Sequence, residues 1–360
     1  MTDMDTLETI VQQAVQCNAS DIHFHAGTQL RFRVDGKLVK ANKEVLTFQD
    51  CEEYGRQLCP EAFDTMKTIG EIDGSTSVGT ARIRYNLYRS KGNCSIALRI
   101  LHAKIPALSS LGLPPAVKEF SSYTKGIVLV TGETGSGKST TLASILDEIN
   151  HTRYEHIITL EDPIEYIHEP DLCLIDQREV GSDTRTYGDG LKAVLREDPD
   201  ILLLGELRDA ETIETALTAA ETGHLVFATL HTNTAVDTID RLISAFDASK
   251  HTQIRTQLAQ TLRAVVCQQL LVRKGGKGRV AACEVMIVNA ALKNQIREGN
   301  TASMVSSLVA GKNIGSVSMD NCLIDLVKSG VIDSVTAIEA AQRKDYIEQN
   351  VSMGMRSRMR

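Results

Sequence analysis

A chain of 360 residues with 42% hydrophobic and 24% charged residues has enough apolar material for two or three domains, each with its own core. Its net charge of −7 argues against nucleic acid as the main partner, because no basic excess is present to neutralise a phosphate backbone. Eight scattered cysteines with no C-x-x-C pair give no support to a metal or redox framework, and no apolar run reaches the ~20 residues of a membrane span.

Met1-Thr2-Asp3-Met4-Asp5 lacks a basic region followed by an apolar one, so the expectation is a cytoplasmic protein without a secretory signal. Leu7, Ile10, Val11, Ala14 and Val15 form the apolar stripe of an amphipathic helix over residues 5–17, which Asn18 to Asp21 end. Ile22-His23-Phe24-His25 reads as a strand, and Leu30–Val34 with Lys37–Val39 as a hairpin about Asp35-Gly36. His23 and His25 share one face of a short strand with no third ligand near, so packing or surface roles are expected. A helical stretch follows over 41–66, then a β pair, Ala81–Tyr88 and Cys94–Leu101, around a turn at Ser90 to Asn93. Arg82 and Arg84 project from one side of their strand, a face that suits anions or plain solvation. Pro106, Gly112, Pro114 and Pro115 mark a boundary, giving a small α+β domain over 1–103, a linker over 104–115 and a second domain over 116–360.

Up to about Glu284 the second domain alternates helices with apolar strands, the pattern of a mostly parallel sheet covered on both faces. After the run Ile127-Val128-Leu129-Val130 comes Thr131-Gly132-Glu133-Thr134-Gly135-Ser136-Gly137-Lys138-Ser139-Thr140, which fits G-x-x-x-x-G-K-[ST] and opens a helix carrying Leu142, Ile145, Leu146 and Ile149. Glycines at these places let backbone N–H groups wrap a phosphate, Lys138 reaches the β/γ-phosphates, and Ser139 can ligate Mg²⁺. The strand Glu155–Leu160 delivers Glu161-Asp162-Pro163-Ile164-Glu165, and Ile201-Leu202-Leu203-Leu204 delivers Gly205-Glu206 and Arg208-Asp209. Carboxylates directly after such strands, downstream of a phosphate loop, suit Mg²⁺ binding and water activation. A helix over Glu211–Thr222 closes at Gly223, and the strand His224–Leu230 is bracketed by His224 and His231. A long amphipathic helix is expected over Ile254–Leu271, a glycine-rich turn over 274–277, and a helical bundle over 290–349 with a disordered tail behind it.

Assembled in this order, the pieces resemble the secretion and pilus motor ATPases, and within them the type IV pilus retraction branch. The resemblance covers nearly the whole chain and rests on Gly132–Ser139 as Walker A, Thr159–Tyr166 as the acidic box, Ile201–Asp209 as Walker B, and Glu221–His224 through Leu230–Asn233 as the histidine box. Ala291-Leu292-Lys293-Asn294-Gln295-Ile296-Arg297-Glu298 is similar to the retraction motif A-I-R-N-L-I-R-E, departing from it at Leu292, Lys293 and Gln295. Glu133 departs from the proline common at its place. The extension and secretion relatives carry a large extra amino-terminal domain and usually a four-cysteine zinc insertion, and this sequence shows neither.

The resemblance implies an α/β fold: a RecA-like P-loop NTPase core, a smaller PAS-like α+β amino-terminal domain and a carboxyl-terminal helical region. It implies a homohexameric Mg²⁺-dependent ATPase that binds ATP between its two domains and powers pilus retraction through an inner-membrane platform protein, at the inner face of the membrane. A paralogous retraction ATPase is a further implied partner. Gly132, Glu133, Thr134, Gly135, Ser136, Gly137, Lys138, Ser139, Thr140 and His224 become the expected nucleotide-binding residues. Glu206 becomes the water-polarising base and Glu161 its partner near Mg²⁺, two roles that are interchangeable; Ser139, Glu161 and Glu206 are the expected Mg²⁺ contacts. His231 becomes a γ-phosphate contact, and Arg82 and Arg84 the arginine fingers, with Arg99 behind them. An accessory retraction ATPase and a non-hydrolysing nucleotide-gated ring stay open as alternatives.

Overall fold

The computed structural model describes residues 6–34, 36–101, 104–276 and 278–357. Of the residues singled out above, Met1 to Asp5, Asp35, Lys277, the domain bound at 103 and the end of the tail, 358–360, lie outside them. The chain divides into two compact units, Met1–Lys104 with Pro163–Ile167, and Ile105–Asp162 with His168–Arg360.

The first unit opens with α1 (Leu7–Gln16), capped by the Thr6 hydroxyl and burying the stripe Leu7, Ile10, Val11 and Ala14. Strands β1 (Ala19–His25), β2 (Gln29–Val34) and β3 (Lys37–Val45), helices α2 (Phe48–Leu58) and α3 (Phe63–Ile69), and strands β4 (Glu71–Val78), β5 (Ala81–Ser90) and β6 (Asn93–Ile100) follow. The six strands form one antiparallel sheet in the order β3-β2-β1-β6-β5-β4. Ile22, Phe24, Phe32, Ile83, Leu87 and Ile96 line its core face with Phe63 and Met66 from α3. The helix expected over 41–66 starts late: residues 41–45 stay in β3, where Val45 pairs with Gln29. Helix α2 begins only where Thr47 and Asp50 form a capping box. Strand β4 goes unread because it is a polar edge strand paired only to β5.

The second unit begins with the short helix α4 (Pro115–Lys118) and then builds β7 (Gly126–Thr131), α5 (Lys138–Asn150), β8 (His156–Glu161), β9 (Leu174–Glu179), α6 (Tyr187–Val194), β10 (Ile201–Leu204), α7 (Ala210–Glu221), β11 (Leu225–Leu230), α8 (Ala235–Ser244), α9 (His251–Thr261), β12 (Leu262–Val272) and β13 (Arg279–Ile287). The sheet runs β13-β12-β7-β11-β10-β8-β9, parallel throughout except for β13. Strands β7, β10 and β11 are buried at every residue, as expected of central strands covered on both faces.

The long helix expected over 254–271 is wrong in its second half. Helix α9 stops at Thr261, and Leu262–Val272 is strand β12, paired parallel to β7 from Leu262↔Ile127 to Cys267↔Thr131. An interior strand buried on both faces shows no alternation, so its apolar spacing passes for a helical stripe; the adjacent branched pair Val265-Val266 and the open side of β7 decide for the sheet.

Beyond β13 come α10 (Ala290–Glu298), α11 (Thr301–Ala310), α12 (Met319–Lys328), α13 (Ser334–Ala340) and α14 (Lys344–Ser357). The last helix runs past residue 349, the expected end of the bundle, to Ser357. All eight cysteines are free thiols, and among the described residues no helix is long and apolar enough to cross a membrane.

Candidate nucleotide site

Four adjacent parallel strands end together. Thr131 of β7 lies opposite Leu230 of β11, Ala228 opposite Leu204 of β10, and Leu204 opposite Leu160 of β8. The residues that follow, the loop from Gly132, then His231, Glu206 and Glu161, therefore line one carboxyl edge, where open α/β sheets hold their ligands.

The loop's shape depends on two glycines and one neighbour. Gly132 (φ +140°) and Gly137 (φ +91°) take conformations that side chains resist. A Cβ on Gly132 would sit 2.3 Å from the Gln268 carbonyl oxygen, and one on Gly137 would sit 2.8 Å from Gln268 Nε2. Gln268, in β12 and 3% exposed, fills the space they leave. Its Nε2 donates to the Ser136 carbonyl at 2.8 Å, and its Oε1 accepts from the Thr141 hydroxyl in the first turn of α5, also at 2.8 Å. Sequence reading missed this residue because it fell inside the supposed helix. Lys138 Nζ donates to the carbonyls of Gly132 (2.6 Å) and Glu133 (3.0 Å), which holds the ammonium at the loop. Glu133, Thr134 and Gly135 are exposed, while Ser139 and Thr140 are half-buried at the start of α5. A cleft of about 330 Å³ opens beside the loop, walled by Glu133–Ser136, Gln269, Leu271 and Glu339.

Glu206 is the centre of the acidic edge. Gly205 is pinned on both sides, its N–H donating to the Leu160 carbonyl at 2.9 Å and its carbonyl accepting from the Thr229 hydroxyl. Glu206 Oε2 accepts from Arg208 Nε at 2.8 Å, and its Oε1 lies 3.5 Å from His231 Nε2. Arg208 also comes within 3.6 Å of Asp162, so one guanidinium bridges the ends of β8 and β10. Its sequence position beside Walker B gives Arg208 no evident role; the placement of the two strand ends reveals one. Glu161 accepts from the Thr159 hydroxyl at 2.7 Å and from Gln177 Nε2 at 3.3 Å. Among the described residues no three His, Cys, Asp or Glu side chains are grouped to hold a metal ion. The oxygen donors present suit a hard cation such as Mg²⁺ that is held chiefly by phosphate, with Ser139 and one or two carboxylates beside it.

His224 is not brought to this edge. Its carbonyl accepts from Gly126 at the amino end of β7, and its Nδ1 lies 2.8 Å from the Ala219 carbonyl at the end of α7. The six residues of β11 between His224 and His231 span about 20 Å, so His224 is out of reach of its own chain's phosphate loop. The expectation of His224 as a nucleotide-binding residue fails within one chain, because the strand carries its two histidines to opposite edges.

In the first unit, Arg84 lies on the sheet face away from the core, opposite Arg99 on β6 and Ser75 on β4, and Arg82 lies opposite Ser77. Arg84 is exposed, whereas Arg82 is half-buried and donates to the Ser75 hydroxyl. Arg99 is bonded to Asp21 at 3.0 Å, with Arg33 3.6 Å from the same carboxylate, so much of its charge is already answered.

Comparison with known proteins gives a concordant result. Residues 4–314 match the family model described as Type II/IV secretion system protein. The type IV pilus retraction ATPase PilT of Pseudomonas aeruginosa is 43% identical over 342 residues, 94% of this chain and 98% of that protein. A twitching motility protein of Neisseria gonorrhoeae is 40% identical over 325 residues, covering 89% of this chain and 85% of that one. The crystal structure of the pilus retraction motor PilT with bound ADP superposes with a TM-score of 0.90 at 41% identity, covering 96% of this chain and 100% of that one.

Proposed function

The chain belongs to the type II/IV secretion ATPase family, in its pilus retraction branch, and from that premise we propose that it is a Mg²⁺-dependent ATPase working as a homohexameric ring that powers type IV pilus retraction. The observation that carries the reading is the meeting of the phosphate loop, Glu206 and His231 at one sheet edge. Its load is an inner-membrane platform protein at the pilus base, reached from the cytoplasmic side, with a second retraction ATPase as a further partner.

Phosphoryl transfer to water demands positioning and charge neutralisation more than covalent chemistry. Loop amides from Glu133 to Ser139 and the Lys138 ammonium bind the β/γ-phosphates. Glu206 orients the attacking water and takes its proton at the carboxylate, and His231, on the next strand end, faces the same carboxylate and the γ-phosphate. Arg208 holds Glu206 against Asp162 and keeps the acidic edge from repelling the incoming phosphates. Glu161, fixed by Thr159 and Gln177, would hold Mg²⁺ together with Ser139. When bound, Mg²⁺ neutralises charge on the β- and γ-oxygens. Arg82 and Arg84 bring further cations to the γ-phosphate in the assembled ring, a contribution of ~10³ to 10⁵ in rate where such arginines have been removed. Because that supply depends on the placement of the first unit, hydrolysis and movement are coupled.

The test is phosphate release by the purified protein and by Glu206→Gln. The variant is expected to bind ADP normally, to lose at least about a hundredfold in turnover, a typical scale for removing a positioned base, and to leave cells unable to retract pili. Retraction sustained by Glu206→Gln alone contradicts the motor reading. Absence of turnover in the wild type favours the nucleotide-gated ring, and turnover without retraction unless a second motor is present favours the accessory ATPase.

A further inference from the structure

In the middle of β13 stands a carboxylate that the phosphate chemistry does not use. Glu284 is 4% exposed, and burial raises its carboxyl above the usual range. Its Oε1 accepts from the Ala235 N–H at 2.8 Å, and its Oε2 accepts from the Met319 N–H at 3.4 Å and from Gln342 Nε2 at 3.3 Å. Ala235 and Met319 are the first residues of α8 and α12, so one buried anion satisfies the open ends of two helices.

Each helix leads to a different part of the second unit. Helix α8 continues directly from His231-Thr232-Asn233-Thr234, and the Thr232 and Thr238 hydroxyls, 2.7 Å apart, tie that loop to its first turn. Helix α12 carries Asp320, which is 1% exposed and accepts from the Gln342 and Arg343 N–H groups at 3.0 and 3.3 Å and from Arg343 Nε at 2.8 Å. The lead-in to α12 is itself bonded to β13, by paired N–H···O bonds between Val285 and Val317. A continuous run of fixed groups thus joins the loop bearing His231 to the carboxyl-terminal helices, and Glu284 is the residue common to both sides.

We propose that Glu284 is a positioning residue for hydrolysis: by holding the first turn of α8 it fixes His231 beside Glu206, and through Met319 and Gln342 it makes that placement depend on α12 and residues 341–343. The proposal rests on Glu206 and His231 being hydrolytic groups. It assigns a mechanical role to the carboxyl-terminal region, because a displacement of α12 would be felt at the catalytic carboxylate.

The test compares kcat and KM for ATP in the full-length protein carrying Glu284→Gln, His231→Ala, both together, or Gln342→Leu. Glu284→Gln keeps the side chain's shape but turns an N–H₂ toward one of the two helix ends. Turnover is expected to fall on the order of tenfold with KM within about threefold, as for loss of an interaction made in the transition state. The loss should disappear in the His231→Ala background, since the two residues act through one group. Wild-type turnover in Glu284→Gln, or a loss that multiplies with that of His231→Ala, overturns the proposal. If Glu284→Gln does not fold, Gln342→Leu alone and combined with His231→Ala decides: a fall of about threefold that vanishes in the combined variant supports the coupling, and unchanged turnover in Gln342→Leu refutes it. An inactive wild type would instead sink the ATPase reading, and an indifferent His231→Ala beside a dead Glu206→Gln would sink this inference alone.

Discussion

Gln268→Leu is the sharpest test of how the phosphate loop is held. The substitution nearly conserves volume but removes two hydrogen bonds, leaving the Ser136 carbonyl and the Thr141 hydroxyl without their partner; Thr141 is 1% exposed, so water cannot replace it. A buried polar group left unsatisfied costs about 1–3 kcal/mol, so the two together should destabilise the second unit by about 2–5 kcal/mol. Part of that cost should appear in binding. A loop whose Ser136 is no longer fixed must be ordered when nucleotide arrives, at about 1–2 kcal/mol per residue, which corresponds to a roughly tenfold weaker ADP affinity. Titration calorimetry with ADP, alongside urea denaturation, reads both effects. Gln268→Glu sharpens the test: its oxygen faces the Ser136 carbonyl unless the carboxyl is protonated, so its deficit should shrink as pH falls. ADP affinity and stability both equal to wild type in Gln268→Leu would refute this account of the loop.

Gly137→Ala should weaken ADP binding by at least about tenfold, since it forces a side chain to φ +91° and costs roughly 1–2 kcal/mol in backbone strain alone; calorimetry checks it. Burial lowers the His168 pKa to about 4 from 6.5, so the unfolded chain binds a proton there that the folded chain refuses. Stability should therefore fall as pH drops from 6.5 toward 4, by about 3 kcal/mol from this group, and denaturation curves of His168→Leu should lack that component. Asp320→Ala leaves two backbone N–H groups and the Arg343 guanidinium without their acceptor. It should cost about 2–4 kcal/mol, toward the low end for a broken buried pair because Arg343 is itself largely exposed, as urea denaturation would show.

What could be read from the residues alone was what is encoded locally. The phosphate loop announces itself by glycine spacing between a buried strand and a helix, and the acids at 161 and 206 by their place after apolar runs, so the carboxyl edge of the sheet is legible in the sequence. What failed depends on neighbours distant in sequence. Strand β12 is a strand because β7 needs a partner on that side, and Gln268 belongs to the site because β12 runs beside the loop. The strand between His224 and His231 was legible, and with it their separation, so a nucleotide-binding role for His224 beside His231 conflicts with that strand within one chain. Glu284 has no local signature at all, since its partners lie at Ala235, Met319 and Gln342. The first unit's arginines were legible as one face, but not that Asp21 already answers Arg99.

The central claim is that hydrolysis needs the assembled ring and the arginines of the first unit. It is tested most directly by ATPase turnover per subunit against protein concentration, for the wild type and for Arg82→Ala/Arg84→Ala. The account predicts turnover that rises cooperatively as rings form, and a double variant that assembles and binds ADP but is nearly inactive. Turnover independent of concentration and unchanged by the double substitution would contradict it, even with ADP still bound at the loop.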